Sequence, residues 1–164
     1  MAKKVCLYGI LSAVCIVLSF VEHLVGLDFI APGVKIGLAN SIALLLLAFG
    51  DVKGAFAVNI VRVLLSGLLF SSPFALIYSL SGAIASLTVM TYISRLHSVS
   101  LYGTSILGAV IHNLAQLVCA TVFLGSSVWY YSSILLISAI ICGTLTATVS
   151  TLVFKKFKNI KTDL

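Results

Sequence analysis

The sequence predicts an all-α, polytopic membrane protein, folded as a compact bundle of six transmembrane helices. Of the 164 residues, 61% are hydrophobic and only 9% are charged, whereas charged residues make up about a quarter of a soluble globular domain. Several apolar runs approach the roughly 20 residues that a helix needs to cross a bilayer. Strands of a membrane barrel would alternate in hydropathy over about ten residues, a pattern that is absent from this sequence.

The six spans follow from cutting the chain at its charges, prolines and polar clusters. They cover approximately residues 5–21, 36–49, 54–70, 73–94, 101–124 and 129–154, within a single domain of residues 1–164. The second span is short, and "GDVK" and "FSSP" leave tight turns before and after the third. The first run resembles a secretory signal, but five apolar runs follow it, so we expect a retained helix.

The basic residues predict the orientation, because lysine and arginine concentrate in short cytoplasmic loops. With the N-terminus inside, Lys35 alone faces outward and Arg62 lies within a span. The cytoplasmic set is Lys3, Lys4, Lys53, Arg95, Lys155, Lys156, Lys158 and Lys161. Both termini are then cytoplasmic, and the net charge of +6 indicates topology and contact with anionic lipids rather than binding to nucleic acid.

The fifth span contains three polar side chains in the stretch "GAVIHNLAQL", residues 108 to 117. At about 100° per residue, His112, Asn113 and Gln116 share one face, with Gly108 beside it. Polar groups in hydrocarbon need partners, so these residues either form interhelical hydrogen bonds or line a binding site. Both interpretations remain open at the level of sequence.

The third span contains the strongest anomaly, Arg62, on one face with Asn59 and Ser66. A guanidinium stays charged at any ordinary pH and needs a counter-ion, polar groups or water. The six spans contain no acid, and the nearest one, Glu22, ends the first span. Arg62 therefore either pairs with Glu22 to tie two helices together or presents a cation to a substrate carboxylate or phosphate. Both can hold if substrate competes for the arginine.

The outer loop, residues 25 to 40, is the longest connection between spans and is broken by Pro32 and Gly33. A short or interrupted helix beside a cavity exposes backbone groups to a ligand, so we expect residues 28–40 to form a lid or pocket wall. Lys35 would join Arg62 in holding an anionic group. Hydrogen bonds to a polar ring or amide of the ligand are predicted for Asn40, Asn59, Asn113 and Gln116.

The chain lacks the common catalytic and metal-binding motifs. It has no G-x-x-x-x-G-K-[ST] phosphate loop, no G-x-S-x-G, no H-E-x-x-H and no paired aspartates. Its cysteines lie inside apolar runs without C-x-x-C spacing, which is typical of small hydrophobic residues; they are Cys6, Cys15, Cys119 and Cys142. The sequence therefore predicts a protein that is not an enzyme and binds no cofactor or metal.

Two long stretches resemble a known family. "APGVKIGLANSIALLLLAFGDVKGAFAVNIVRVLLSGLLF" and "SILGAVIHNLAQL" are similar to the bacterial Gx transporter family, whose members are often labelled heptaprenyl diphosphate synthase component I. The likeness covers nearly the whole chain and is carried by P-G-x-K-x-G-L-A-N, R-x-L-L-S-G and H-N-x-x-Q. The family in turn looks like the S-components of energy-coupling-factor (ECF) transporters.

The resemblance implies a substrate-binding subunit for uptake of a small, anionic micronutrient or cofactor precursor, in a bacterial cytoplasmic membrane. A separate membrane scaffold and ATPase subunits would supply the energy. S-components dock through small residues on the first helix, here Gly9 and Ala13 in place of A-x-x-x-A. The synthase label fits poorly, because prenyl diphosphate synthases use aspartate-rich metal motifs. Flavins, thiamin-like vitamins and isoprenoid or quinone precursors remain open as substrates.

A second function from another class also remains open. The chain could be a non-catalytic scaffold subunit of a quinone, isoprenoid or electron-transfer complex, with its polar faces serving only helix packing.

Overall fold

The computed structural model describes residues 2–25, 36–96 and 99–162, with side chains up to residue 156. Every regular element in these ranges is helical, so the predicted all-α class is confirmed. The helices are α1 (Ala2–Val25), α2 (Asn40–Ala48), α3 (Val52–Phe70), α4 (Pro73–Ser94), α5 (Leu101–Leu124) and α6 (Ser132–Thr162), with a short 3₁₀ helix (Ser126–Tyr131) before α6.

Serine and aspartate caps fix where the long helices begin. Asp51 accepts the Gly54 N–H at 3.0 Å and caps α3. Ser72 caps α4 by accepting the Ala75 N–H at 3.3 Å. Pro73 follows at the first position of the helix, where an N–H would have no partner within the helix, so its absence costs no hydrogen bond. Ser100 caps α5 in the same way. Such caps satisfy N–H groups that a helix start leaves without an internal partner.

Five stretches of the described chain are long and apolar enough to cross a membrane: α1, α3, α4, α5 and residues Ser126–Lys156. The second predicted span is not among them. Its helix, α2, has nine residues and is about 14 Å long, against a hydrocarbon core of about 30 Å. Gly37 and Gly50 explain the difference, because both adopt positive φ, which stops a right-handed helix at either end.

α2 nevertheless carries the chain back through the bundle. Near one end, the Tyr8 hydroxyl donates to Asp51 Oδ2 at 2.6 Å; toward the other, the Ala39 N–H donates to Glu22 Oε1 at 3.2 Å. Tyr8 and Glu22 are 14 residues apart on α1, a rise of about 21 Å. The segment from Ala39 to Asp51 covers that depth, antiparallel to α1. We name the Tyr8 end the inner end and the Glu22 end the outer end.

Aromatic contacts show how the other helices alternate. Phe70, which ends α3, packs against Phe20 of α1 with ring centroids 5.2 Å apart, at the outer end. Phe154 of α6 packs against Phe49 at the inner end, with centroids 5.0 Å apart. The start of α1 and the end of α6 therefore lie toward the inner end, which also carries exposed basic side chains. These are Lys3, Lys4, Lys53, Arg95, Lys155 and Lys156.

The core is concentrated around α2. Leu44 and Ala55 have no exposed surface, and Val58 and Leu87 are almost fully covered; with other residues of α1 to α4 they form one apolar cluster. Large apolar side chains elsewhere face outward, among them Val122 and Leu68, which suits a surface bathed in lipid.

Candidate functional site

A cavity of about 110 Å³ lies between α1, α3, α4, α5 and α6 and the turn that precedes α2. A bound water needs roughly 10–15 Å³ of such space, so the cavity has room for a small organic molecule. Its ionisable and amide side chains are Glu22, His23, Asn40, Arg62, His112 and Asn113. Its hydroxyl side chains are Ser19, Ser66, Ser71, Ser79, Ser105 and Thr146.

Arg62 lies at the cavity wall and is 8% exposed. Its Nη2 donates to Asn59 Oδ1 at 2.8 Å and to Asn40 Oδ1 at 3.4 Å. Within the described residues, the buried Nε has no acceptor, and both hydrogen-bond partners of the guanidinium are neutral amides. A buried charge is stable only when paired or well solvated. The site therefore presents an oriented positive charge with unused donor capacity.

The two amides reach Arg62 from different elements. Asn40 is the first residue of α2 and lines the cavity, where the turn at Gly37 places it. Asn59 lies three residues before Arg62 on α3 and is 3% exposed, but it is not one of the residues that line the cavity. The structure thus places Asn59 as a residue that orients the guanidinium, and Asn40 as one that also faces the cavity.

Glu22 also lines the cavity, and its Oε1 accepts the Ala39 N–H. The sequence left open a direct Glu22 to Arg62 pair. In the described part of the chain, the hydrogen bonds of the two side chains lead instead to Ala39 and Asn40, which are consecutive residues. The start of α2 therefore joins a carboxylate and a guanidinium that both face the same cavity.

The polar face of α5 is divided between the cavity and helix packing. His112 and Asn113 line the cavity, while the Asn113 Nδ2 donates to the Leu135 carbonyl of α6 at 2.8 Å. Gln116 is buried but is not a lining residue. It packs against Gly82 of α4, where a Cβ atom would lie 2.9 Å from Gln116 Cγ. The structure therefore places Gln116 in the contact between α4 and α5.

Several predicted features lie outside the described residues or at a distance from the cavity. Lys35 and residues 28–35 of the predicted lid are not described, although Ile36 and Gly37 line the cavity. Gly9 and Ala13 are exposed on α1, and a Cβ at Gly9 would meet nothing within 4 Å. The lid and the docking face remain predictions.

Sequence reasoning missed most of the hydroxyl groups around the cavity. Ser19 precedes Glu22 and His23 by one helical turn, and this i, i+3, i+4 spacing places all three on one face. For α1, this spacing could have predicted that Ser19 lies at the site. Ser79, Ser105 and Thr146 gave none, because hydroxyls are common inside membrane helices and often bond their own backbone. In the described ranges, no three His, Cys, Asp or Glu side chains are grouped so that they could hold a metal ion.

The sequence model of a family described as heptaprenyl diphosphate synthase component I matches residues 11–153. No curated protein and no solved structure matches the chain. The matched segment contains all of α2 to α5 and most of α1 and α6. The family that the motifs resemble is thereby confirmed, and the chain belongs to the heptaprenyl diphosphate synthase component I family.

Proposed function

We propose that the protein is the substrate-binding membrane subunit of an uptake system for a small, anionic micronutrient or cofactor precursor. One observation carries the proposal: Arg62 is buried at the wall of a small-molecule cavity, and its hydrogen bonds in the described chain go to neutral amides. An anionic group of the ligand would accept hydrogen bonds from the guanidinium, and Asn40 and Asn59 hold the guanidinium in place for it.

The energy would come from separate scaffold and ATPase subunits, as in ECF transporters. The chain has no phosphate loop of its own, and a family described as a component fits a multi-subunit system. The exposed face of α1 around Gly9 and Ala13 would dock the scaffold. In this arrangement α2 serves as a short sixth crossing, which the contacts at Ala39 and Asp51 support.

The proposed location is the bacterial cytoplasmic membrane, with both termini inside. The exposed basic side chains collect at the inner end, and such charges stay on the cytoplasmic side. The cavity would then open toward the outside, where an uptake protein meets its substrate.

We propose no catalytic role. Metal-dependent diphosphate chemistry uses several carboxylates to hold the metal, and the described lining of the cavity contains one, Glu22. The scaffold alternative is favoured by one observation, the bond from Asn113 to the Leu135 carbonyl, which shows a polar group of α5 serving helix packing.

The test is to purify the protein gently from its own host and to quantify retained small molecules by native mass spectrometry and extraction. We expect wild-type protein to retain a stoichiometric compound that carries an anionic group, and Arg62→Gln to retain at least about tenfold less of it, because a buried charge partner is removed. Arg95→Gln is the matched control, since Arg95 is exposed at the inner end, and should retain the ligand fully.

Two outcomes contradict the proposal. Wild-type protein that is monodisperse, empty and bound to a redox or biosynthetic complex would establish the scaffold function. Equal retention by Arg62→Gln and Arg95→Gln would remove Arg62 from the binding site. Co-purification of an ATPase-bearing complex, lost when Gly9 and Ala13 are both changed to leucine, would support the proposed docking face.

A further inference from the structure

We propose that the cavity takes a zwitterionic ligand, which places its anionic group at Arg62 and its cationic group at Glu22. This inference rests on the proposed function and names the charge class of the substrate. It starts from the fact that two side chains of opposite charge line the same small cavity.

The start of α2 holds these two charges side by side. Ala39 donates its N–H to Glu22, and the next residue, Asn40, accepts from Arg62. Because the two anchoring residues are consecutive, the carboxylate and the guanidinium lie within the reach of one small molecule. In the described chain, each is held by neutral groups rather than by a hydrogen bond to the other.

Both charged groups have capacity left for a ligand. A carboxylate can accept about four hydrogen bonds and a guanidinium has five N–H donors. The described contacts use one oxygen of Glu22 and one nitrogen of Arg62, while Nε of Arg62 is buried without an acceptor in this part of the chain.

The charge pattern selects between ligand classes. A simple anion at Arg62 would be repelled by Glu22, and a simple cation at Glu22 would be repelled by Arg62. A zwitterion pairs with both charges and leaves the cavity with no uncompensated charge, which is the favourable arrangement in a weakly polar surrounding. The neutral hydroxyls and amides of the lining, such as Ser66 and Thr146, then contact the uncharged middle of the ligand.

The experiment measures whether Glu22→Gln raises or lowers the amount of compound that the protein retains. Purified wild-type protein and the variants Glu22→Gln, Glu22→Asp and Arg62→Gln are incubated with the small-molecule fraction of a host-cell extract and washed. The retained compounds are then quantified and classed by binding to cation- and anion-exchange resins. We expect wild-type protein to retain a compound that binds both resins, and Glu22→Gln to retain about tenfold less of it.

Removing the Glu22 charge raises the affinity for a simple anion, because a repulsion disappears. Increased or unchanged retention in Glu22→Gln, with loss in Arg62→Gln, would therefore overturn the zwitterion and leave the proposed function standing. No retention by wild-type protein, or equal retention by Arg62→Gln, would overturn both. If Glu22→Gln fails to purify as a monodisperse protein, the resin test on the compound that wild-type protein retains decides between a zwitterion and a simple anion. Glu22→Asp, which keeps the charge, should then retain the same compound.

Discussion

The inner and outer halves of the bundle are built from the same helices but in different ways. In the inner half, α2 fills the centre, and residues such as Leu44 and Ala55 have no exposed surface. In the outer half, a turn replaces the helix before Asn40, and a carboxylate and a guanidinium line the cavity that extends from there into the bundle. Mean hydropathy is high along all five long helices and does not distinguish the two halves.

The difference shows that close packing is concentrated in one half of the bundle and polar groups in the other. Lipid is as apolar as leucine, so packing contacts rather than removal from water hold membrane helices together. The inner half provides such contacts around α2. The outer half has polar groups in place of such contacts. Residues 37–50 contribute to both halves, because the helix packs in the core and the residues at its start contact Glu22 and Arg62.

The largest expected effect is at Leu44, the centre of the inner half. Leu44→Ala leaves an empty volume among rigid neighbours and should lower the free energy of unfolding by about 2–4 kcal/mol. Leu68→Ala, at a side chain that is 72% exposed, should change it by less than about 0.5 kcal/mol. Unfolding in a denaturing detergent measures both. Equal effects at the two sites would mean that the inner half is not the packed one.

The second effect is at Gly82, which tests whether the contact between α4 and α5 is as close as in the inner core. A Cβ there would meet Gln116 Cγ and the His112 carbonyl at 2.9 Å, so Gly82→Ala should destabilise the protein by about 1–3 kcal/mol. The matched change is Gly9→Ala, which meets nothing within 4 Å and should leave stability equal or higher. Thermal unfolding should therefore give a lower melting temperature for Gly82→Ala and an unchanged or higher one for Gly9→Ala.

The third effect separates packing from binding within the outer half. Asn113→Ala removes the bond to the Leu135 carbonyl and should lower stability by about 0.6–1.7 kcal/mol, the range for polar contacts between membrane helices. Ser66→Ala, whose hydroxyl contacts only its own helix among the described hydrogen bonds, should have almost no effect on stability. If Asn113→Ala keeps its stability but loses ligand, the amide belongs to the binding site alone.

The smallest effect concerns pH at the inner end. The Tyr8 hydroxyl, and next the Gly54 N–H, hold the pKa of the Asp51 carboxyl below its usual range. Because the pKa is lowered in the folded state, the stabilisation is complete above the ordinary value of about 3.9 and is lost as the pH falls through the lowered pKa. Wild-type protein should therefore lose thermal stability on acidification to below about pH 4.

Tyr8→Phe tests that dependence, because it removes the largest cause of the lowered pKa and keeps the ring. We expect a smaller loss of melting temperature on acidification than in wild-type protein. Tyr8→Phe leaves every other carboxyl group of the chain unchanged, so the difference between the two pH profiles isolates Asp51. Superimposable profiles would show that the hydroxyl does not stabilise the carboxylate.

The long helices could be predicted closely because local signals mark their ends. The expected spans 73–94 and 101–124 coincide with α4 and α5, where Ser72 with Pro73, and Ser100 with Gly125, define the boundaries. The 36–49 span was not confirmed as a crossing-length helix. By hydropathy, Ile36 and Leu38 belong to a span, but the backbone at Gly37 has a positive φ and is not helical. A hydropathy average contains no information on backbone conformation.

The site could be predicted in part. Helical periodicity placed Asn59 with Arg62, and the two are indeed bonded, but periodicity gives the face of one helix and not the helix that covers it. Asn59 therefore orients Arg62 rather than lining the cavity, and Gln116 packs on Gly82. The contact of Glu22 with the start of α2 was not predictable, because it depends on how two helices pack against each other, which no local pattern encodes.

The nine-residue length of α2 has a consequence for how the protein enters its membrane. The insertion machinery recognises segments of about 20 apolar residues one after another, and α1 and α3 satisfy that requirement. α2 does not, so we expect it to be drawn into the bilayer only when α3 has inserted and can cover it. The segment from Ala39 to Asp51, which contains α2, makes the hydrogen bonds to Glu22, Arg62 and Tyr8. Formation of the cavity would thus be a late event in biogenesis, completed after the flanking helices are already in place.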